Sequence, residues 1–202
     1  MKNYFKFIDI LQESLLGVSI AILMILPILI SYYPELLVPG YQTFLFGVSF
    51  AAVTFVMAIR PLADLLGGYT KWIRPLVILR KGLGVLSASI VVSVILSKIM
   101  IHGPYEHFLL YLEPSYWSLN RYALFAHLGD LTAIPLLITS NNFSKKLLGA
   151  NWKRLQKLAY VYFYSGALYE FFALNSYYAF TAIIVVTTLV MFAFIKNLNK
   201  QQ

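Results

Sequence analysis

The chain of 202 residues is 60% hydrophobic, 16% aromatic and only 12% charged, with a formal net charge of +8. A soluble domain of this size cannot hide that excess of apolar side chains, and a disordered chain would carry far less of it, so both classes are excluded. What remains is an all-α integral membrane protein: one domain over residues 1–202, a six-helix bundle with little mass outside the bilayer.

In chain order, Lys2 and Lys6 precede a first apolar stretch at about residues 15–33. It is too long for a signal peptide's apolar region. It ends in Ser31-Tyr32-Tyr33-Pro34-Glu35 without a small-x-small cleavage site, so it reads as a retained helix. The second stretch is 41–59, and a basic segment at 60–82 follows it. The third, 83–100, carries Gly84, Ser87, Ala88, Ser89, Ser93 and Ser97, a small-residue face suited to close helix packing. Residues 101–118 read as a loop. Its His102 and His107, with only Glu106 nearby, do not make a metal site. The fourth stretch is 119–138, the fifth 155–174 and the sixth 177–195, each long enough to cross about 30 Å of hydrocarbon at ~1.5 Å per residue. A β-barrel would show shorter segments of alternating polarity instead. No cysteine is present, which removes disulfides, thiolate metal sites and cysteine nucleophiles.

The basic residues orient the spans. Lys2 and Lys6, then Arg60, Lys71, Arg74, Arg80 and Lys81, then Lys145, Lys146, Lys153, Arg154 and Lys157, then Lys196 and Lys200 share one side. They are 14 of the 16 Lys and Arg; only Lys98 and Arg121 fall toward the other. By the positive-inside rule both termini are cytoplasmic. Trp117 and tyrosines 32, 33, 41, 105, 116, 122, 177 and 178 form an outer aromatic belt, with Trp72 and Trp152 at the inner interface. Topology and anionic lipid account for the net charge, so membrane lipid is the expected partner and nucleic acid is not needed.

The informative residues are those that a bilayer rejects. Asp130 falls near the middle of the fourth stretch, with His127 three residues earlier on the same helix face and Thr132 and Pro135 after it. This pair reads either as a polar cluster that holds helices together or as a proton relay or an ion or cofactor contact. Either way Asp130 is expected to face the interior, within reach of His127 or of Ser93 or Tyr164. Glu170, near the outer end of the fifth stretch, reads as an interfacial, hydrated carboxylate, and Tyr160, Tyr162, Tyr164 and Tyr169 decorate the same stretch. No nucleotide-binding loop, His-Glu-x-x-His run or Gly-x-Ser-x-Gly elbow is present. No catalytic constellation and no metal site follow.

Four segments taken in order resemble the ferric-reductase-like transmembrane domain. Residues Leu148-Gly149-Ala150-Asn151-Trp152-Lys153-Arg154-Leu155-Gln156-Lys157-Leu158-Ala159-Tyr160 are similar to "LGxxWKRLHRLVY". That is the entry to the fifth helix in the haem-binding membrane subunit of the bacterial methionine-sulfoxide reductase system. Pro135-Leu136-Leu137-Ile138-Thr139-Ser140 resembles its "PLALTS", Arg80-Lys81-Gly82-Leu83-Gly84 its "RRMLG", and Arg60-Pro61-Leu62 its "TPLRR".

The resemblance implies a transmembrane electron-transfer subunit holding haem b through histidines of the third and fifth helices. It also implies a second redox or membrane subunit as partner. Those ligand positions fall at Val94, Gln156 and Tyr169, none of them histidine. Two readings therefore stand: an electron-transfer subunit with unusual ligation through His127, Met100 or Tyr169, or a haem-free scaffold, partner subunit or proton or small-solute path around Asp130. Trp152, Lys153 and Arg154 suit docking of a partner or lipid headgroups under both. Reporter fusions after Lys146 and after Pro114 are expected to report opposite compartments; the same compartment for both would refute the topology.

Overall fold

The computed structural model of the chain describes residues 2–33, 35, 39–66, 70–119 and 123–199. Within these, the side chains of residues 2, 39, 42, 70, 71, 107, 108, 110 and 116 lie outside the description. The expectations for Arg121, Tyr122 and Lys200, and for the side chains of Lys2, Lys71, His107 and Tyr116, fall outside it too.

The described residues are helical with no strand. Six longer helices are α1 (Lys2–Tyr32), α2 (Pro39–Leu65), α4 (Leu79–His102), α6 (Ala123–Ile138), α9 (Leu158–Leu174) and α10 (Tyr177–Leu198). Between them lie the short helices α3 (Thr70–Ile73), α5 (Pro104–Leu112), α7 (Asn142–Leu148) and α8 (Ala150–Leu155). Four stretches are long and apolar enough to cross a membrane: Asn3–Tyr32, Thr43–Leu65, Arg74–His102 and Tyr177–Leu198. Ala123–Ile138 and Asn142–Leu148 qualify together but are bent by 94° at the break between them. The outward faces are apolar: Met24 is 69% exposed and Phe194 63%, as suits a surface turned to hydrocarbon.

Two expected boundaries move. Helix α1 starts at Lys2 rather than near residue 15, because Ile8 and Gln12, one turn apart, bury a face of its first three turns, with Gln12 bonded to Gly82. Residues 101–118, expected as a loop, form α5 and a 3-10 turn at Pro114–Trp117. Gly103, at φ 83°, and Pro104 break α4 from α5, since the left-handed backbone suits only a residue without a Cβ clash. The reversal from α9 to α10 is made by Asn175 at φ 53°, with the Ser176 N–H donating to the Glu170 carbonyl at 3.1 Å.

Helix α4 is central: α1, α2 and α6 pack against it, α6 continues to α9, and α10 lies against α2 and α9. The registers follow from named contacts. Gly82 N–H donates to Gln12 Oε1 at 3.1 Å and Ser93 Oγ donates to the Ile22 carbonyl at 3.3 Å, so α1 and α4 run parallel. Ser49 bonds Ser87, and Arg80 Nε donates to the Val56 carbonyl at 3.0 Å, which makes α2 and α4 antiparallel. Tyr164 with Thr187 and Phe171 with Phe180 do the same for α9 and α10. Lys196 Nζ donates to the Leu65 carbonyl at 2.7 Å, a cation on the last carbonyl of α2.

The small-residue face of α4 is in place: Ser87, Ser89, Ser93 and Ser97 are wholly buried and Ala88 nearly so. Gly82 marks the closest approach of α1. A Cβ there would stand 2.8 Å from Gln12 Oε1 and 2.9 Å from Leu15 Cβ, whereas one at Gly84 would meet nothing within 4 Å. Gly82→Ala is therefore expected to lower stability in detergent by about 1–3 kcal/mol, the usual cost of overpacking, and Gly84→Ala to leave it nearly unchanged. Thermal unfolding of the two variants checks this; equal effects would show that α1 does not press on Gly82.

Candidate functional site: a charged chamber among four helices

Helices α2, α4, α6 and α9 enclose a chamber of about 100 Å3 and contribute four residues each. From α2 come Phe46, Ser49, Phe50 and Val53, and from α4 Val91, Val94, Ile95 and Lys98. Both sets follow the i, i+3, i+4, i+7 pattern of one helix face. Phe125, Ala126, Gly129 and Asp130 come from α6, and Tyr162, Gly166, Tyr169 and Glu170 from α9. Gly129 and Gly166 leave room: a Cβ on Gly129 would first meet Ser165 Oγ at 3.6 Å, and one on Gly166 nothing within 4 Å.

Ser49 and Tyr162 belong to a closed triangle of hydroxyls at one end of the chamber. Ser49 Oγ lies 2.9 Å from Ser87 Oγ and 3.1 Å from Tyr162 Oη, and Ser87 Oγ lies 2.9 Å from Tyr162 Oη. Ser49 Oγ is also placed to donate to the Ser87 carbonyl, at 3.1 Å. Each hydroxyl both donates and accepts, so the triangle satisfies itself without water and ties α2, α4 and α9 at one level.

The charged groups lie further along. Glu170 is eight residues from Tyr162, about 12 Å along α9 at ~1.5 Å per residue. Lys98 and Asp130 reach the same chamber from α4 and α6. Lys98 is the cation electrostatically coupled to Asp130, and the Tyr111 side chain from α5 hydrogen-bonds Asp130. Among the described residues the three charged groups make no direct ion pair with one another.

Glu170 is the largest departure from the sequence reading. It is not solvent-exposed but buried, at 7% exposure, and its Oε1 has no hydrogen-bond partner among the described residues. The cause is tertiary: the tight turn into α10 and the packing of α2 and α4 opposite close over a residue only four positions from its helix end. Lys98, expected near the outer surface, likewise stands in the chamber wall and is half-buried.

Asp130 faces the interior, and two of the partners expected of it, Ser93 and Tyr164, bond elsewhere. Ser93 Oγ bonds the Ile22 carbonyl on α1, and Tyr164 Oη pairs with Thr187 Oγ1 at 2.9 Å. The His127 ring packs on Tyr111 at 5.3 Å and on Trp117 at 5.9 Å between ring centroids, away from the chamber. Tyr111 thus touches both residues, the His127 ring by packing and Asp130 by a hydrogen bond. Tyr111, hidden in a segment taken for a loop, had no signal in the sequence to mark it.

The haem b implied by the resemblance can be tested on the residues present. Val94 and Tyr169 both line the chamber, whereas Gln156 sits in the turn before α9 with its Nε2 buried and without a hydrogen bond. Among the described residues no histidine lines the chamber, and Met100 is 55% exposed on α4. A chamber of about 100 Å3 is far below the roughly 300 Å3 at which cofactor-sized sites begin. These residues do not fit a bis-histidine haem. At the other end of the molecule Trp152 Nε1 donates to the Thr139 carbonyl at 3.0 Å, Lys145 Nζ lies 5.4 Å over its ring, and Lys153 and Arg154 are exposed.

No protein-family model, no curated protein and no solved structure matches the chain.

Tyr162→Phe removes one corner of the hydroxyl triangle but leaves Ser49 and Ser87 bonded to each other. It is expected to cost about 0.5–1.5 kcal/mol of stability, more than Tyr164→Phe, which breaks one part-buried bond to Thr187. Thermal unfolding of both variants in one detergent checks the order.

Proposed function

We propose that the protein is a haem-free, six-span relative of the ferric-reductase-like transmembrane domain that uses its charged chamber as a proton path. The spans in this reading are α1, α2, α4, α6, α9 and α10, with both termini in the cytoplasm and the protein in a bacterial inner membrane. The 14-to-2 division of basic residues supports the orientation. At 16 residues α6 is the shortest, about 24 Å at ~1.5 Å per residue, and α9 has 17; both suffice with modest bilayer thinning.

The observation that carries the reading is the convergence of Lys98, Asp130 and Glu170 on one buried chamber. A lone ionisable group at membrane depth is costly by about 2.5–3.5 kcal/mol on insertion scales, and such groups are retained where they move protons or bind ions. Placing three of them on three helices, without direct ion pairs, suits a path more than it suits a structural clamp. The resemblance adds a reason for the chamber's position. Val94 and Tyr169, which occupy two of the family's ligand positions, face it, so the chamber lies where relatives hold their cofactor. The electron-transfer reading has no comparable support, because His127 is turned away to Tyr111 and Trp117. The exposed Lys153 and Arg154, beside Trp152, then rest on anionic headgroups at the cytoplasmic face.

In this path Asp130 accepts and releases the proton, Tyr111 orients the carboxylate, and Tyr162 with Ser49 and Ser87 offers the next hydroxyls along the bundle. Protein reconstituted into liposomes loaded with lithium, sodium and potassium chloride is expected to admit protons when these are diluted into N-methyl-D-glucamine chloride with valinomycin, which imposes both outward cation gradients and a potential, read by an internal pH dye. Asp130→Asn should abolish the flux and spare thermal stability, since an amide keeps hydrogen bonds but does not titrate; Asp130→Leu should lower stability as well. Liposomes no more permeable than empty ones would refute the reading. So would a stoichiometric low-spin haem spectrum in protein expressed with ample haem.

A further inference from the structure

We propose that the chamber exchanges one monovalent metal cation for one proton, with Glu170 and Asp130 as the anionic ligands and Lys98 as a tethered cation that offsets one of their charges. The proposal rests on the proton-path reading and names what travels against the proton.

The carboxyl groups come from different helices, Asp130 from α6 and Glu170 from α9, and both line the same space. Glu170 is more than nine-tenths buried and its Oε1 has no hydrogen-bond partner. A carboxyl oxygen so placed is accommodated on the neutral acid, by trapped water or against a cation, and the cation alone compensates its charge. The titratable groups facing Glu170 across the chamber are Lys98 from α4, Asp130 from α6, and Tyr162 and Tyr169 on its own helix; α2 brings none. Fully ionised, two carboxylates and one ammonium leave a single negative charge, which one monovalent cation neutralises.

Size and ligand number narrow the class. The chamber of about 100 Å3 has room for about three waters at ~30 Å3 each, or for one small ion keeping part of its hydration. Among the described residues no group of three His, Cys, Asp or Glu is close enough to hold a metal together, which disfavours divalent ions with their larger demand for protein ligands. Phe46, Phe50 and Phe125 complete the wall with apolar surface.

The step balances without redox change. The cation enters, the O–H bond of the Glu170 carboxyl breaks, its proton leaves to solvent, and ion–oxygen contacts replace it. The chamber's total charge stays constant. Lys98, on a flexible stem from α4, stays in the chamber wall and repels the arriving ion, so its ammonium lowers the ion's affinity while keeping the charge count even.

The test uses the full chain in detergent, weakly buffered near pH 7 in N-methyl-D-glucamine chloride, whose cation is too large for the chamber. Lithium, sodium and potassium chloride are added in turn and released protons are read with an indicator dye. At least one ion is expected to release about one proton per chain, as ligand deprotonation on metal binding requires. Glu170→Gln should release none. Lys98→Met, having lost the repelling charge, should bind the ion roughly tenfold more tightly, within the usual range of coupling between two occupants of one site. Thermal unfolding confirms that each variant is folded, and the wild-type release is decisive even if one is not. No release from wild type with any of the three ions overturns the exchange, and so does wild-type release from Glu170→Gln or unchanged or weaker binding by Lys98→Met. If proton uptake by liposomes nevertheless persists in N-methyl-D-glucamine, the proton path stands and only the exchange falls; loss of both sinks the path itself.

Discussion

Within a bundle whose outer faces are apolar, a charged side chain can turn only to other protein groups, to trapped water or to a ligand. The arrangement of α2, α4, α6 and α9 around one chamber is the answer to that constraint for Lys98, Asp130 and Glu170. The same constraint explains the polar groups elsewhere in the bundle. Thr132 and Thr139 bond carbonyls of their own helix, and Ser93 bonds a carbonyl of the next one. The triangle of Ser49, Ser87 and Tyr162 closes on itself. Ser89 Oγ, Gln156 Nε2 and Glu170 Oε1 are exceptions, and of these only Glu170 belongs to the chamber lining.

The division of labour among the helices follows. α4 carries the small side chains that let α1 approach at Gly82 and Ser93, and its other face supplies the chamber wall. α10 fills the groove between α2 and α9, where Ala179, Ala182 and Val186 are buried. The first and last helices thus pack around a four-helix core and contribute nothing to the lining of the chamber. The hydroxyl triangle fixes α2, α4 and α9 at one end. At the other, α5 and the 3-10 turn fold back on α6, bringing Tyr111 to Asp130 and both Tyr111 and Trp117 to His127. One end of the chamber is therefore locked by mutual hydrogen bonds and the other is covered by a short helix, an asymmetry that any path through the bundle must use.

The positions that resemble cofactor ligands acquire a different sense in this geometry. Val94 and Tyr169 both line the chamber. Around them stand a lysine and two carboxyl groups in a space of about 100 Å3. In the proposed reading, the scaffold that brings two helices to one prosthetic group is kept, and ionisable side chains take over the interior it left.

Much of the architecture is a matter of composition alone. Apolar runs longer than a bilayer's hydrocarbon and a lack of period-two alternation dictate helices, and four stretches of the chain have the length and polarity of spans. The small-residue face of α4 was also readable, because packing against a neighbour needs small side chains at helical spacing. What the linear pattern did not contain is which way each face turns. Helices apolar on nearly every side offer no stripe to point inward, so Asp130 was visible as buried while its neighbours were not. Glu170, four residues from a helix end, looked solvated because distance along a helix is a poor measure of depth once a tight turn and two facing helices close over it. Tyr111 lay in a segment whose length suggested a loop, and only its fold as α5 brought it to Asp130. The sequence by itself determined that charges would be buried among helices; the tertiary structure alone decided that three of them share one chamber, because that depends on the rotation of four helices about their own axes.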